Sequence, residues 1–160
     1  MKHPAKPTRL PVGVIVGTRP EAVKLAPVIS ALARSRTLRP VTINTCQHRH
    51  MVAQILADFG IASDFYLDVM RPRQTLSGLT SRLASAMGEF FAHHRIRAIL
   101  VQGDTTSAFV GGLCAFYHKI PVGHVEAGLR SGDMYSPFPE EINRRMIGVL
   151  ATWHFAPTGR

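Results

Sequence analysis

Short apolar runs alternate along this chain with longer stretches in which apolar positions recur every three or four residues. Val12–Val16 is β-branched and bounded by glycine, so it predicts a buried strand. A helix follows over about Pro20–Ser35, with Ala22, Val23, Ala26, Ile29, Ala31 and Leu32 on its apolar side. Arg39–Thr45 predicts a second strand. Met51, Ile55, Leu56 and Phe59 then recur at helical spacing until Gly60 stops them. Asp64–Leu67 predicts a short third strand, and Leu76, Leu79, Leu83, Met87 and Phe90 form the stripe of a helix over about Thr75–His93. The remainder predicts a strand at Ala98–Gln102, a helix at Ser107–Tyr117 and a strand at Pro121–Val125. A polar loop over Arg130–Pro139, a helix at Glu140–Leu150 and a strand from Trp153 to Ala156 complete it. Strands separated by single helices pair in parallel, with helices on both faces of the sheet. The pattern therefore predicts a Rossmann-like three-layer α/β domain over residues 12–160, preceded by a basic tail over residues 1–11.

Composition narrows this picture. At 160 residues and 46% apolar, the chain buries one core. Its formal charge of +9 comes largely from scattered arginine pairs, such as Arg95/Arg97 and Arg144/Arg145, without interleaved aromatic residues. That is the pattern of a solvated surface or a phosphate-bearing small ligand, and no nucleic-acid partner is expected. The two cysteines, Cys46 and Cys114, lie far apart in apolar segments, as buried thiols of a reducing compartment do. No segment reaches the roughly 20 apolar residues of a membrane span, and a cytoplasmic location is expected. The eight histidines form no zinc spacing with the cysteines, so no metal is expected.

Candidate chemistry concentrates between Val101 and Arg145. Two predicted strands run into carboxylates, Asp104 and Glu126, one crossover length apart, which places both at the same edge of a parallel sheet. Carboxylates at separate strand ends can divide acid and base roles. Glu140 and Glu141 open the last helix, where i,i+4 pairing with Arg144 and Arg145 explains them as helix salt bridges. The first strand runs into GTRPE, in which Thr18 and Glu21 have capping-box spacing. On a functional reading, Arg19 and the free N–H groups of this turn face an anion, with Lys24 one turn further on.

The segments GTRPEAVKLAPVI, QHRHM, RQTL, QGDTTSAF, HVEAGLRSGDMYSPFPEEINRR and HFAPT are similar, in this order, to those of the bacterial non-hydrolysing UDP-N-acetylglucosamine 2-epimerases. The resemblance implies the N-terminal half of a glycosyltransferase B fold, a homodimer, and no cofactor or metal. It further implies interconversion of UDP-N-acetylglucosamine and UDP-N-acetylmannosamine, by elimination of UDP to 2-acetamidoglucal and its re-addition. Under it, Asp104, Glu126 and Glu140 match the acid/base carboxylates, and Arg19, Lys24 and Arg144 match substrate-binding residues. Gln47, Arg73 and Glu140 match a second, activating UDP-N-acetylglucosamine site, where His50 departs from the Gln or Glu more usual in the family.

Members of the family are about twice as long, and their C-terminal domain supplies a catalytic histidine and most uridine contacts. The expectation is an N-terminal epimerase domain, inactive alone. The competing readings are the acceptor domain of a glycosyltransferase and a catalytically dead module that binds a sugar nucleotide or a partner protein.

Overall fold

The computed structural model describes residues 9–158. Its elements, in chain order, are β1 (Leu10–Val16), α1 (Arg19–Arg34), β2 (Leu38–Asn44), α2 (Arg49–Asp58), β3 (Phe65–Tyr66) and α3 (Leu76–His93). They continue with β4 (Ala98–Gln102), α4 (Thr106–Tyr117), β5 (Val122–Val125), α5 (Glu140–Leu150) and β6 (Trp153–Phe155). All strands pair in parallel in one sheet of order β3-β2-β1-β4-β5-β6. The chain winds outward from β1 to β3, then crosses back to β4 and winds the other way. A topological switch point therefore lies between β1 and β4, where the loops at the strand ends diverge and leave a crevice.

The strands are buried because both faces are covered. On one face Val14 and Val16 pack under Leu25, Ala26 and Ile29 of α1 and Val52 and Leu56 of α2. On the other, Ile15, Ile43, Ile99 and Val101 meet Leu83 and Met87 of α3, Val110 of α4 and Ile147 of α5. Alternation along β1 sends neighbouring residues to opposite cores. One flank stays open on the α1 side of β4–β6, where Val28, Leu32, Leu100, Trp153 and Phe155 line an apolar hollow of about 520 Å³.

The structure adjusts several sequence expectations. Strand β1 begins at Leu10, paired with Leu38, so Leu10 and Pro11 belong to the sheet and not to the basic tail; residues 1–8 of that tail lie outside the described residues. Arg9 donates to the carbonyl of Ala33 at the end of α1 (2.9 Å), a favourable place for a cation. On α1, Val23 and Ala31 face solvent and Leu25 takes the core position instead. Helix periodicity identified the buried side but misplaced its edges. Both cysteines are buried and do not form a disulfide with each other, and burial raises the Cys114 thiol above its ordinary value. No helix among the described residues is long and apolar enough to cross a membrane.

Candidate active site

Strands β4 and β5 are neighbours, with Gln102 opposite Val125. Each turns sharply at its carboxyl end. Gly103 adopts φ +71°, and its N–H donates to the Val125 carbonyl at 3.0 Å. Glu126 adopts φ +62°. A non-glycine residue in that region costs about 1–3 kcal/mol, and such strain collects at functional sites. The two turns project Asp104 and Glu126 side by side; the crossover length predicted a shared edge, and the pairing of β4 with β5 makes them neighbours.

Helix α5 returns over this edge and delivers Arg144. Its guanidinium is almost wholly buried and bonds Asp104 Oδ2 through Nη2 (2.5 Å). The same Nη2 lies 3.9 Å from Glu126 Oε2, while Nη1 donates to the Glu126 carbonyl. Lys24, from α1, pairs with Glu126 Oε1, and Gln102 Nε2 donates to Glu126 Oε2. Asn143 Nδ2 donates to the Asp104 carbonyl at 2.9 Å. Planar guanidinium geometry lets one side chain hold both turns. Arg144 is thus paired to Asp104 and not to Glu140, and the i,i+4 account of these residues fails for that pair. It holds for the next one, since Glu141 pairs with Arg145 at 2.7 Å.

Glu140 and Glu141 differ in kind. Glu141 is buried and accepts from the Ser131 N–H (2.9 Å) as well as Arg145, which ties the long loop to α5. The Ser131 N–H is the main cause holding its carboxyl below the ordinary range. Glu140, at the first position of α5, is half-buried and makes no hydrogen bond or ion pair among the described residues. Helical spacing sets Glu140, Asn143 and Arg144 on one face, so the sequence held a signal for Asn143 that went unused.

Arg19 is exposed at the start of α1 and free of any hydrogen bond or ion pair among the described residues. The N–H groups of Gly17 and Thr18 are not available to an anion. Both donate to Glu21 Oε2 at 2.7 Å, which corrects the expectation of a phosphate-facing turn with free N–H groups. Gly17 is required there because a Cβ would stand 2.1 Å from Thr45 Oγ1. That Thr45 hydroxyl meets Ser107 Oγ at 3.2 Å, and Ser107 donates to Gln47 Oε1 at 3.1 Å. Gln47 is therefore fixed at the same sheet edge. Arg73, at φ +54° in the loop before α3, is exposed and bonded to neither Gln47 nor Glu140.

Sequence reasoning also missed His124. It is fully buried on β5, and its Nε2 lies 2.7 Å from the Gly103 carbonyl, which makes Nε2 the donor. Nδ1 is buried without a hydrogen-bond partner among the described residues. Burial, chiefly, lowers its pKa, and a neutral imidazole braces the peptide that leads into Asp104. Among the described residues no group of His, Cys, Asp and Glu is arranged to hold a metal ion.

The arrangement is a cluster of carboxylates and cations at the carboxyl edge of a parallel sheet, able to bind an anion and move protons beside it. Residues 30–160 match the family model described as UDP-N-acetylglucosamine 2-epimerase. The chain is 49% identical over 152 residues to the UDP-N-acetylglucosamine 2-epimerase of Bacillus subtilis, covering 95% of this chain and 40% of that protein. A crystal structure of a UDP-N-acetylglucosamine 2-epimerase superposes with TM-score 0.92 at 49% identity, covering 95% of this chain and 43% of that one. The Neisseria meningitidis UDP-GlcNAc 2-epimerase, solved bound to UDP-GlcNAc, gives 0.88 at 47% identity over 93% of this chain and 41% of that one. The chain thus spans about 40% of the length of the curated relatives it matches.

Proposed function

The chain belongs to the UDP-N-acetylglucosamine 2-epimerase family, and from that premise we propose that residues 12–160 act as its N-terminal domain, one wall of an active site that inverts C2 of UDP-N-acetylglucosamine. The C2 proton is not adjacent to a carbonyl, so direct enolisation is closed. Elimination of UDP across C1–C2 makes 2-acetamidoglucal, and re-addition returns a proton to the opposite face. This route needs carboxylates that remove and return protons, and cations that hold the departing diphosphate. Asp104, Glu126 and Glu140 take the first task. Arg19, Lys24 and Arg144 take the second.

The observation that carries the reading is the juxtaposition of Asp104 and Glu126 on the turns that end two adjacent strands, joined through Arg144 and flanked by Lys24. The diphosphate competes with Glu126 for Lys24, while the exposed and unpaired Arg19 is free to meet it first. Gln47, Arg73 and Glu140 form the activator site under the same proposal. Arg73 reaches it only when a ligand bridges the gap. A homodimer and a cytoplasmic location complete the reading, the latter supported by two buried cysteines that form no disulfide with each other.

The test is incubation with UDP-N-acetylglucosamine in D₂O, with NMR detection of deuterium at C2. The 160-residue chain alone is expected to exchange little, because its site is open to water on the loop side, where Tyr135 and Phe138 stand exposed. Fused to the C-terminal portion of the Bacillus subtilis relative, it is expected to exchange readily. A folded fusion that leaves C2 unlabelled would overturn the reading.

A further inference from the structure

Glu21 takes no part in the proposed chemistry, yet it is wholly buried at the edge where that chemistry occurs. Its carboxylate accepts from two loops at once. Oε2 takes the N–H groups of Gly17 and Thr18, both at 2.7 Å, and Oε1 takes the hydroxyl of Thr105 at 2.5 Å. Thr105 is the N-cap of α4, and its Oγ1 also accepts from the Ala108 N–H at 3.0 Å. Burial pushes the Glu21 carboxyl above its ordinary range, and the donors around it pull it back. With Ala108 donating to it, the Thr105 hydroxyl hydrogen is free to point at Glu21, and all three partners of the carboxylate are donors.

An ordinary capping-box glutamate serves only its own helix. Here the same side chain reaches from the N-terminus of α1 to the N-terminus of α4. The two helix dipoles direct positive potential at it, which offsets part of the cost of burying the charge. We infer that Glu21 is a positioning residue, which locks the turn carrying Arg19 and Lys24 against the turn carrying Asp104. Asp104 directly precedes Thr105, and Lys24 lies one helical turn beyond Pro20, so the carboxylate sets the spacing between a cation and an acid/base group. The inference rests on the roles proposed above for Asp104 and Lys24. Its test needs no turnover, so the two stand or fall separately.

Glu21→Asp keeps the charge but shortens the reach by one methylene, so it cannot serve both loops. In the 160-residue chain, the carboxyl ¹³C resonance of Asp104 is expected to shift, because the turn that carries it is released. Amide exchange at Ala108 is expected to quicken, while exchange at Thr42, bonded to the remote Asp64, stays as it is. Glu21→Gln, nearly isosteric, keeps the reach to both loops and is expected to leave exchange at Ala108 slow, which assigns the effect of Glu21→Asp to reach. If folded Glu21→Asp leaves the Asp104 resonance and Ala108 exchange unchanged, Glu21 merely caps α1 and the inference is overturned.

Discussion

The turn after β1 and the loop after β5 border the same cluster and are held in opposite ways. From Gly17 to Glu21 the backbone is fastened from beneath by a buried carboxylate, and Thr45 leaves no room above Gly17 for a side chain. From Gly128 to Phe138 every residue is exposed. That loop is tied to the domain chiefly by the Ser131–Glu141 bond, its other bonds being local, such as Ser131 Oγ to the Asp133 carbonyl. The difference separates two needs of one site. Acid/base groups work only when placed to within a fraction of an ångström, whereas a loop that admits a substrate and shields it has to rearrange.

If the fastened turns are the working floor, the largest effects fall there. Asp104→Asn or Glu126→Gln in an exchange-competent fusion should cut C2 deuteration by about 10²–10⁴-fold, read by NMR against the unaltered fusion. An effect below tenfold would remove that carboxylate from the chemistry. Next in size, Glu21→Ala leaves three donors without their acceptor and should cost about 3 kcal/mol in urea unfolding. A cost under 1 kcal/mol would equate this turn with the loop.

The His124 brace gives a pH test of the same floor. Its folded pKa is lowered from an ordinary value near 6.5. Around that pH the unfolded chain binds more protons than the folded one, so stability falls as pH drops through 6.5 and is fully present above it. His124→Gln, which keeps a donor toward Gly103, should flatten the difference between unfolding at pH 7.5 and pH 5.5. An unchanged slope would assign the effect to another group.

The smallest effects belong to the loop. Glu141→Gln should speed amide exchange at Ser131 while leaving Thr18 and Ala108 as they are. Because the Glu141 carboxyl is held low, the same release should appear in the unaltered chain only as pH falls through its depressed range. Tyr135→Ala, at a side chain 73% exposed, should change stability by less than about 0.5 kcal/mol. Comparable losses from Tyr135→Ala and Glu21→Ala would erase the contrast.

Much of the fold was legible because local pattern and global topology agree. Every element was anticipated in order, and boundaries moved by a residue or two, as at β1. Legibility was lower at the site. Asp104 and Glu126 announced themselves because a carboxylate after an apolar run has little reason to stabilise a fold. His124 and Gln102 gave no such sign, since a polar residue within or at the end of a short strand reads as part of it. Glu21 was visible only as half of a capping box, because its bond to Thr105 joins segments far apart in sequence.

The sequence by itself determined the alternation of strand and helix, the placing of two carboxylates at one sheet edge, and the family. Hydrophobic period and crossover length are local quantities, and they suffice for these. The tertiary structure alone decided which partners the charges take. Arg144 had a suitable glutamate one turn away on its own helix and bonds Asp104 and Glu126 instead. The N–H groups of Gly17 and Thr18, apparently free, are claimed by Glu21. Ion pairs and hydrogen bonds follow distance and burial in the folded chain, and neighbours along the sequence offer only the options from which packing selects.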